Sequence, residues 1–233
     1  MSFQEMDTTL ARAGAERNRA DQAAAGFSFW TLSRSKRLFD LLMSVPLLAL
    51  VAPVMAVAAL AVRASSPGPL LFRQARVGKD GVDFEILKFR TMRHAPDGNG
   101  PRLTQREDSR ITPIGRLIRK SRLDELPQLW NVIRGDMSLV GPRPDVPEFL
   151  ASLKPEEASI LKLRPGITSL TSIEFRHEDD LLPRGASEQE IARHYVEQIL
   201  PEKIRLELDY AEKATLLTDL KVLFKTATVV FRS

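Results

Sequence analysis

The chain contains no cysteine. This excludes disulfides, a thiolate zinc site and a cysteine nucleophile, and agrees with a reducing compartment. Histidine is scarce: His94, His177 and His194 stand far apart, without the paired spacing of a metal site. No segment repeats at a fixed period, which excludes a solenoid. Basic stretches interleaved with aromatics and recognition-helix patterns are also missing, so nucleic acid is not an expected partner despite a pI near 9.5.

Charge is absent from one long run. Between Leu41 and Val62 no residue is ionisable, and such a segment is about long enough to cross a bilayer. It is not expected to be a secretory signal, because about forty residues precede it and no small-residue cleavage site stands before Arg63. Pro46 and Pro53 interrupt the run, each removing a backbone donor that must be compensated in lipid. Basic residues flank both ends: Arg34, Lys36 and Arg37 before it, and Arg63, Arg73, Arg76 and Lys79 after. The positive-inside bias draws both flanks to the cytoplasm. Length therefore favours a spanning helix and charge favours re-entry, and the residues alone leave both open.

What is present points to one core and an anionic partner. With 233 residues at 43% hydrophobic content the chain can bury a single good core, and although the net charge is only +4 the pI near 9.5 suits phosphate or anionic lipid. The first 32 residues form a polar, alanine-rich tail with a short aromatic patch at Phe27, Phe29 and Trp30. Leu70 to Arg76 and Val82 to Arg90 predict two strands joined by a turn near Gly78 to Gly81. In the second strand Ile86, Lys88 and Arg90 share a face that runs from core to cation. Arg93 to Asp108 is a polar loop, and Thr112-Pro113 predicts the start of a helix in N-cap and N1 positions. Short helices are expected at 156–163 and 187–200, the latter ending at Pro201, with a turn at 164–166. A longer helix over 202–225 would turn Leu206, Tyr210, Leu217, Leu220 and Phe224 to the core.

The most informative stretch is Ser121 to Pro144. Leu126, Leu129, Trp130 and Ile133 fall at helical spacing and predict a buried stripe, while Gly135 is a natural stop. Pro127 then belongs in the first turn, with Asp124 at or next to the N-cap and Glu125 just inside. An acidic pair is thus joined by one short helix to the basic turn Gly141-Pro142-Arg143-Pro144. A carboxylate pair beside a basic loop suits phosphate chemistry.

These residues closely resemble the bacterial sugar transferases, small monotopic polyprenyl-phosphate phosphoglycosyl transferases. The resemblance rests on Lys36-Arg-Leu-Phe-Asp40, Lys88-Phe-Arg-Thr-Met92, Leu123-Asp-Glu-Leu-Pro127, Asn131 to Ser138, Gly141-Pro-Arg-Pro144 and Arg164-Pro-Gly-Ile-Thr168. It covers the chain from about residue 33 onward. It implies an α+β protein: a re-entrant helix-break-helix at 33–64, broken at Pro53, and a mostly helical catalytic domain at 65–233 that carries a small β-hairpin on the cytoplasmic face of the bacterial inner membrane.

The implied reaction moves a phosphosugar from a nucleotide diphosphate sugar, expected to be a UDP-sugar, to polyprenyl phosphate, and releases nucleoside monophosphate to initiate glycan assembly. Asp124 is the implied nucleophile, with Glu125 assisting. Both are the implied ligands of Mg²⁺, and Lys88, Arg90 and Arg143 are the phosphate-binding cations. Two departures bear on this. Ser169-Leu170 replaces the family's usual Gly-Trp, so the identity of the sugar does not carry over, and Ala52 precedes Pro53 where serine is common. The competing classes are a catalytically idle membrane scaffold and a conventional glycosyltransferase, which would release nucleoside diphosphate.

Overall fold

The computed structural model describes residues 26–93, 108–150, 153–154, 157–176, 178–183 and 185–231. The polar tail up to residue 25, His94, His177 and nearly all of the loop expected between Arg93 and Asp108 lie outside the described residues. The rest is helix-dominated, with two small two-stranded sheets and one long apolar helix near the N-terminus.

Ser33 starts that helix by accepting a hydrogen bond from the Lys36 N–H at 3.0 Å, and α1 (Arg34–Ser65) follows. The break expected at Pro53 does not occur. Pro46 and Pro53 both lie inside one helix of 32 residues, about 48 Å long at 1.5 Å per residue. The reason is the face each proline occupies. Lys36, Asp40, Ser44, Ala58 and Val62 are buried, with Leu48, Val51 and Met55 half-buried between them, so one stripe packs on the rest of the protein. The prolines fall on the opposite, exposed side with Leu42, Leu50, Val57 and Leu60. A proline there curves a helix toward its buried side while the packed face stays continuous. By length and composition α1 is able to cross a membrane.

The polar start of the stripe ties α1 down. Lys36 Nζ lies 2.5 Å from Asp219, and Arg37 donates to the carbonyls of Val132 and Ile133 at 2.5 and 2.9 Å. Ser138 Oγ and the Leu139 N–H donate to Asp40 at 3.0 and 3.1 Å. Trp30 joins the same network through Nε1 to Asp219 at 2.9 Å.

The predicted hairpin is present. Strands β1 (Leu71–Val77) and β2 (Asp83–Phe89) pair antiparallel, Leu71 opposite Phe89, around a turn at Lys79–Gly81. Helix α2 (Pro113–Lys120) begins as expected, with Thr112 Oγ1 accepting from Gly115 at 2.9 Å. After α3 (Gln128–Arg134), strand β3 (Ser138–Val140) runs parallel to β4 (Gly166–Thr168), so the segment expected as a plain turn at 164–166 leads into a strand. The helix expected at 156–163 is a 3-10 helix, Ala158–Lys162.

The C-terminal helices depart most from expectation. After α4 (Leu170–Glu174), α5 (Glu188–His194) opens with a capping box on Ser187 and runs through a π turn, Tyr195–Ile199, into α6 (Leu200–Lys213). Pro201 does not stop it: it falls at the start of α6, directly after the π turn. An extended Ala214 then ends α6, and α7 (Leu216–Phe231) starts afresh. That restart resets the helical phase. Tyr210 is in the core as expected and Val222 joins it, while Leu217, Leu220 and Phe224 are 60%, 42% and 73% exposed rather than buried.

Candidate active site

Asp124 and Glu125 do not stand at the N-cap of the helix that follows them. Leu123–Glu125 is a separate 3-10 turn, and α3 begins only at Gln128 with Pro127 at its N-cap. Arg122 causes the separation: its left-handed backbone (φ 57°) ends the preceding chain direction and starts i+3 bonds from Glu125 N to Arg122 O and from Leu126 N to Leu123 O. A non-glycine residue held there stores strain of the order of 1 kcal/mol, and such strain gathers at functional sites. The buried face of α3 is also rotated from the predicted stripe. Gln128, Leu129, Asn131 and Val132 are buried and Trp130 is 51% exposed. Gly135 ends the helix as expected, with φ 100°.

Three cations converge on Glu125. Lys88 Nζ and Arg143 Nη2 each lie 3.2 Å from Oε1, and Arg122 Nη1 lies 3.5 Å from Oε2. Strand alternation delivers Lys88 beside Ile86 on the inner face of β2. Arg143 arrives on a loop held by two glycines. A Cβ on Gly141 would lie 2.4 Å from the Arg164 carbonyl, and one on Gly166 would lie 2.2 Å from the Gly141 nitrogen. Only bare backbone allows the bonds from Gly141 N to Thr168 O at 3.1 Å and from Gly166 N to Pro142 O at 2.8 Å. Asn131, fully buried, completes the frame by accepting from Leu87 N at 3.1 Å and donating to Glu85 O at 2.8 Å, which locks α3 to β2.

Arg90 is not brought to this cluster. It stands past the end of β2 and donates to the carbonyls of Pro69, Val62 and Ser66, the last at 2.6 Å, so it caps the C-terminal end of α1. Arg122 and Asn131 are the residues that sequence reasoning did not single out. Their signal was proximity to the acidic pair within one motif, which does not reveal which side chains turn inward.

The two carboxylates have opposite electrostatics. Asp124 is 8% exposed, and its Oδ1 has no hydrogen-bond partner. Burial, then the charge of Glu125, push its pKa up to about 6, against opposing effects of Lys88, Arg119 and Arg122. Burial works to raise Glu125 too, but Lys88, Arg143 and Arg122 overcome it and hold that carboxyl well below the usual range. The charge of Glu125 in turn raises Arg143, while burial lowers Lys88 despite the same neighbour. A fixed ion cluster thus adjoins an underbonded carboxylate.

Among the described residues no three histidine, aspartate or glutamate side chains gather as metal ligands. Glu125 already has cations on both oxygens, whereas Asp124 keeps one oxygen unpartnered. Asp124 is therefore the member of the pair that fits a hard divalent ion, the other ligands coming from substrate oxygens and water.

An underbonded acid beside phosphate-suited cations, in a chain that also carries one long apolar helix, fits a transferase acting on phosphorylated substrates. The chain belongs to the bacterial sugar transferase family, whose sequence model matches residues 31–233. It is 40% identical over 194 residues to the UDP-glucose:undecaprenyl-phosphate glucose-1-phosphate transferase of Caulobacter vibrioides, covering 82% of this chain and 67% of that protein. It is 36% identical to the UDP-N-acetylgalactosamine-undecaprenyl-phosphate N-acetylgalactosaminephosphotransferase of Aeromonas hydrophila, and 34% identical to the UDP-glucose:undecaprenyl-phosphate glucose-1-phosphate transferase of Escherichia coli. Each alignment covers 82% of this chain, but only 42% and 39% of those longer relatives.

Proposed function

We propose that the protein transfers a sugar 1-phosphate from a UDP-sugar to polyprenyl phosphate through a covalent aspartyl-phosphosugar on Asp124. The observation that carries this reading is the contrast between the pair. Asp124 is buried with an unpartnered oxygen, while Glu125 is saturated by Lys88, Arg122 and Arg143. With its pKa near 6, Asp124 is about ten-to-one ionised at pH 7, so it is available as a nucleophile and poorly solvated.

In the first step an Asp124 oxygen attacks the sugar-linked phosphorus. The bond from that phosphorus to the bridging oxygen breaks, and nucleoside monophosphate departs with the electron pair. Lys88 and Arg143 stand where charge grows on the phosphates, Arg143 offering further N–H donors beyond the one given to Glu125. In the second step an oxygen of polyprenyl phosphate attacks the same phosphorus and returns the Asp124 carboxylate. Bound Mg²⁺, held by Asp124 and substrate oxygens, would supply further charge neutralisation on the phosphates.

The reading keeps both ends of α1 on the cytoplasmic face with the catalytic part, re-entry resting on curvature at the exposed Pro46 and Pro53 rather than on the break first expected. Support comes from the buried stripe: Lys36 to Ser44 near one end of α1 and Ala58 and Val62 near the other pack on the same body. Relatives are named for glucose and for N-acetylgalactosamine, so the donor is proposed only as a UDP-sugar.

The test is mass spectrometry of the protein given UDP-sugar without lipid acceptor. A phosphosugar on Asp124 with release of UMP is expected. With polyprenyl phosphate then added, release of UDP would instead indicate direct glycosyl transfer, and no release with any UDP-sugar would indicate a scaffold.

A further inference from the structure

We infer that Tyr195 and Lys203, remote in sequence from every motif above, are positioning residues that hold the Arg143 loop in register with Glu125. This rests on the proposed phosphosugar transfer and adds to it a buried support that reaches from the C-terminal helices.

The support is a chain of hydrogen bonds. Glu178 Oε2 accepts from Lys203 Nζ at 2.8 Å, and the same Nζ donates to the Tyr195 hydroxyl at 2.9 Å. That hydroxyl donates to the Asp145 carboxylate, with Oδ2 at 3.0 Å and Oδ1 at 3.2 Å. Asp145 lies two residues after Arg143. From the other side β1 holds the same loop: Arg76 donates to the Pro144 carbonyl at 3.1 Å and lies 4.0 Å from Asp145 Oδ1, and Val77 N donates to the Asp145 carbonyl at 3.2 Å. Arg143 is thus mounted on backbone clamped between the hairpin and the α5–α6 junction.

The clamp explains the π turn. Tyr195 and Lys203 are eight residues apart, which in an uninterrupted α-helix sets them about 80° apart in azimuth, at 100° per residue. One extra residue in the turn Tyr195–Ile199 makes them behave like positions seven apart, about 20° from alignment. The π turn therefore brings the ammonium onto the phenol, 5.0 Å from its ring centroid, while Phe149 packs on the ring at 4.9 Å. Both side chains are buried, at 1% and 6% exposure, where a fully satisfied polar network imposes one geometry. The charges of Glu178 and Asp145 also favour cationic Arg143, after the larger effect of Glu125.

A packing role alone would not couple Tyr195 to Arg143, so the test is a double-mutant cycle. Nucleoside monophosphate release from UDP-glucose and UDP-N-acetylgalactosamine, and calorimetric UMP binding, are measured for Tyr195→Phe, Arg143→Lys and the double variant, each with its melting temperature. Tyr195→Phe is expected to lower kcat/KM about tenfold while remaining folded, and to cost less than twofold when added to Arg143→Lys. Glu178→Gln, at a partly exposed position, is expected to show the same dependence on Arg143 and serves if Tyr195→Phe does not fold. Equal losses in both backgrounds, or activity within twofold of wild type, would overturn the positioning role while leaving the proposed reaction intact. A wild type that neither releases UMP nor binds it would overturn both.

Discussion

Replacing Asp124 by asparagine should abolish the reaction and make the protein more stable at neutral pH. The folded-state pKa of Asp124 is raised from 3.8 to about 6, chiefly by burial. A raised acid binds its proton more tightly when folded, so the ionised form costs stability. That cost is absent below the unfolded value, grows as pH rises through the interval, and is complete above about 6. At 1.36 kcal/mol per pH unit the full cost is about 3 kcal/mol, an upper figure because it assumes that Asn removes the whole penalty. For a chain of this size that corresponds to a gain of up to about 10 °C in Tm. Denaturation of wild type and Asp124→Asn from pH 4 to 8, in one detergent, measures it. The gap should widen with pH and nearly close at pH 4. Single-turnover UMP release by wild type should fall about tenfold per pH unit below pH 6 as the nucleophile is protonated. A variant less stable than wild type at pH 7.5 and equally so at pH 4 would refute the claim that the site pays for a buried charge.

Arg90→Met should lower stability by about 1–3 kcal/mol, because carbonyls at the end of α1 lose their donors, while KM for the UDP-sugar stays within twofold; a large KM effect with normal stability would return Arg90 to the substrate. Arg143→Lys should reduce kcat/KM at least tenfold, since a point charge cannot hold Glu125 and a phosphate in a planar fork, and a fully active variant would remove Arg143 from the site. Chelation should abolish turnover and Mg²⁺ should restore it; metal-independent turnover would leave charge neutralisation to Lys88, Arg122 and Arg143 alone. Single cysteines at Ser35→Cys and Ala64→Cys, both exposed in α1, should label from the cytoplasmic face only, and opposite-side labelling would show that α1 spans.

Much of this protein was legible in local chemistry. The uncharged run became α1, Thr112-Pro113 and Gly135 marked helix ends, and the hairpin fell between its predicted strands. Each depends on interactions within a few residues, which sequence order encodes directly. Family membership was legible for a related reason: the acidic pair, the Gly-Pro-Arg-Pro loop and the Arg-Pro-Gly-Ile-Thr segment are short motifs with restrictive backbone needs.

Orientation was decided only by tertiary packing. Alternation placed Lys88 and Arg90 on one face, yet the strand ends between them, so one meets Glu125 and the other turns to carbonyls of α1. Helical spacing buried Trp130 and Phe224, but α3 turns Asn131 and Val132 inward with Asn131 bonded to β2, and the restart after Ala214 changed the phase of α7, which left both exposed. Pro53 was expected to break α1, and its effect depended on the face it occupies, which is set by what α1 packs against. The charge contrast between Asp124 and Glu125 likewise came from residues distant in sequence: their side chains are adjacent in the chain, but only the fold brings Lys88 and Arg143 to one and leaves an oxygen of the other unpartnered.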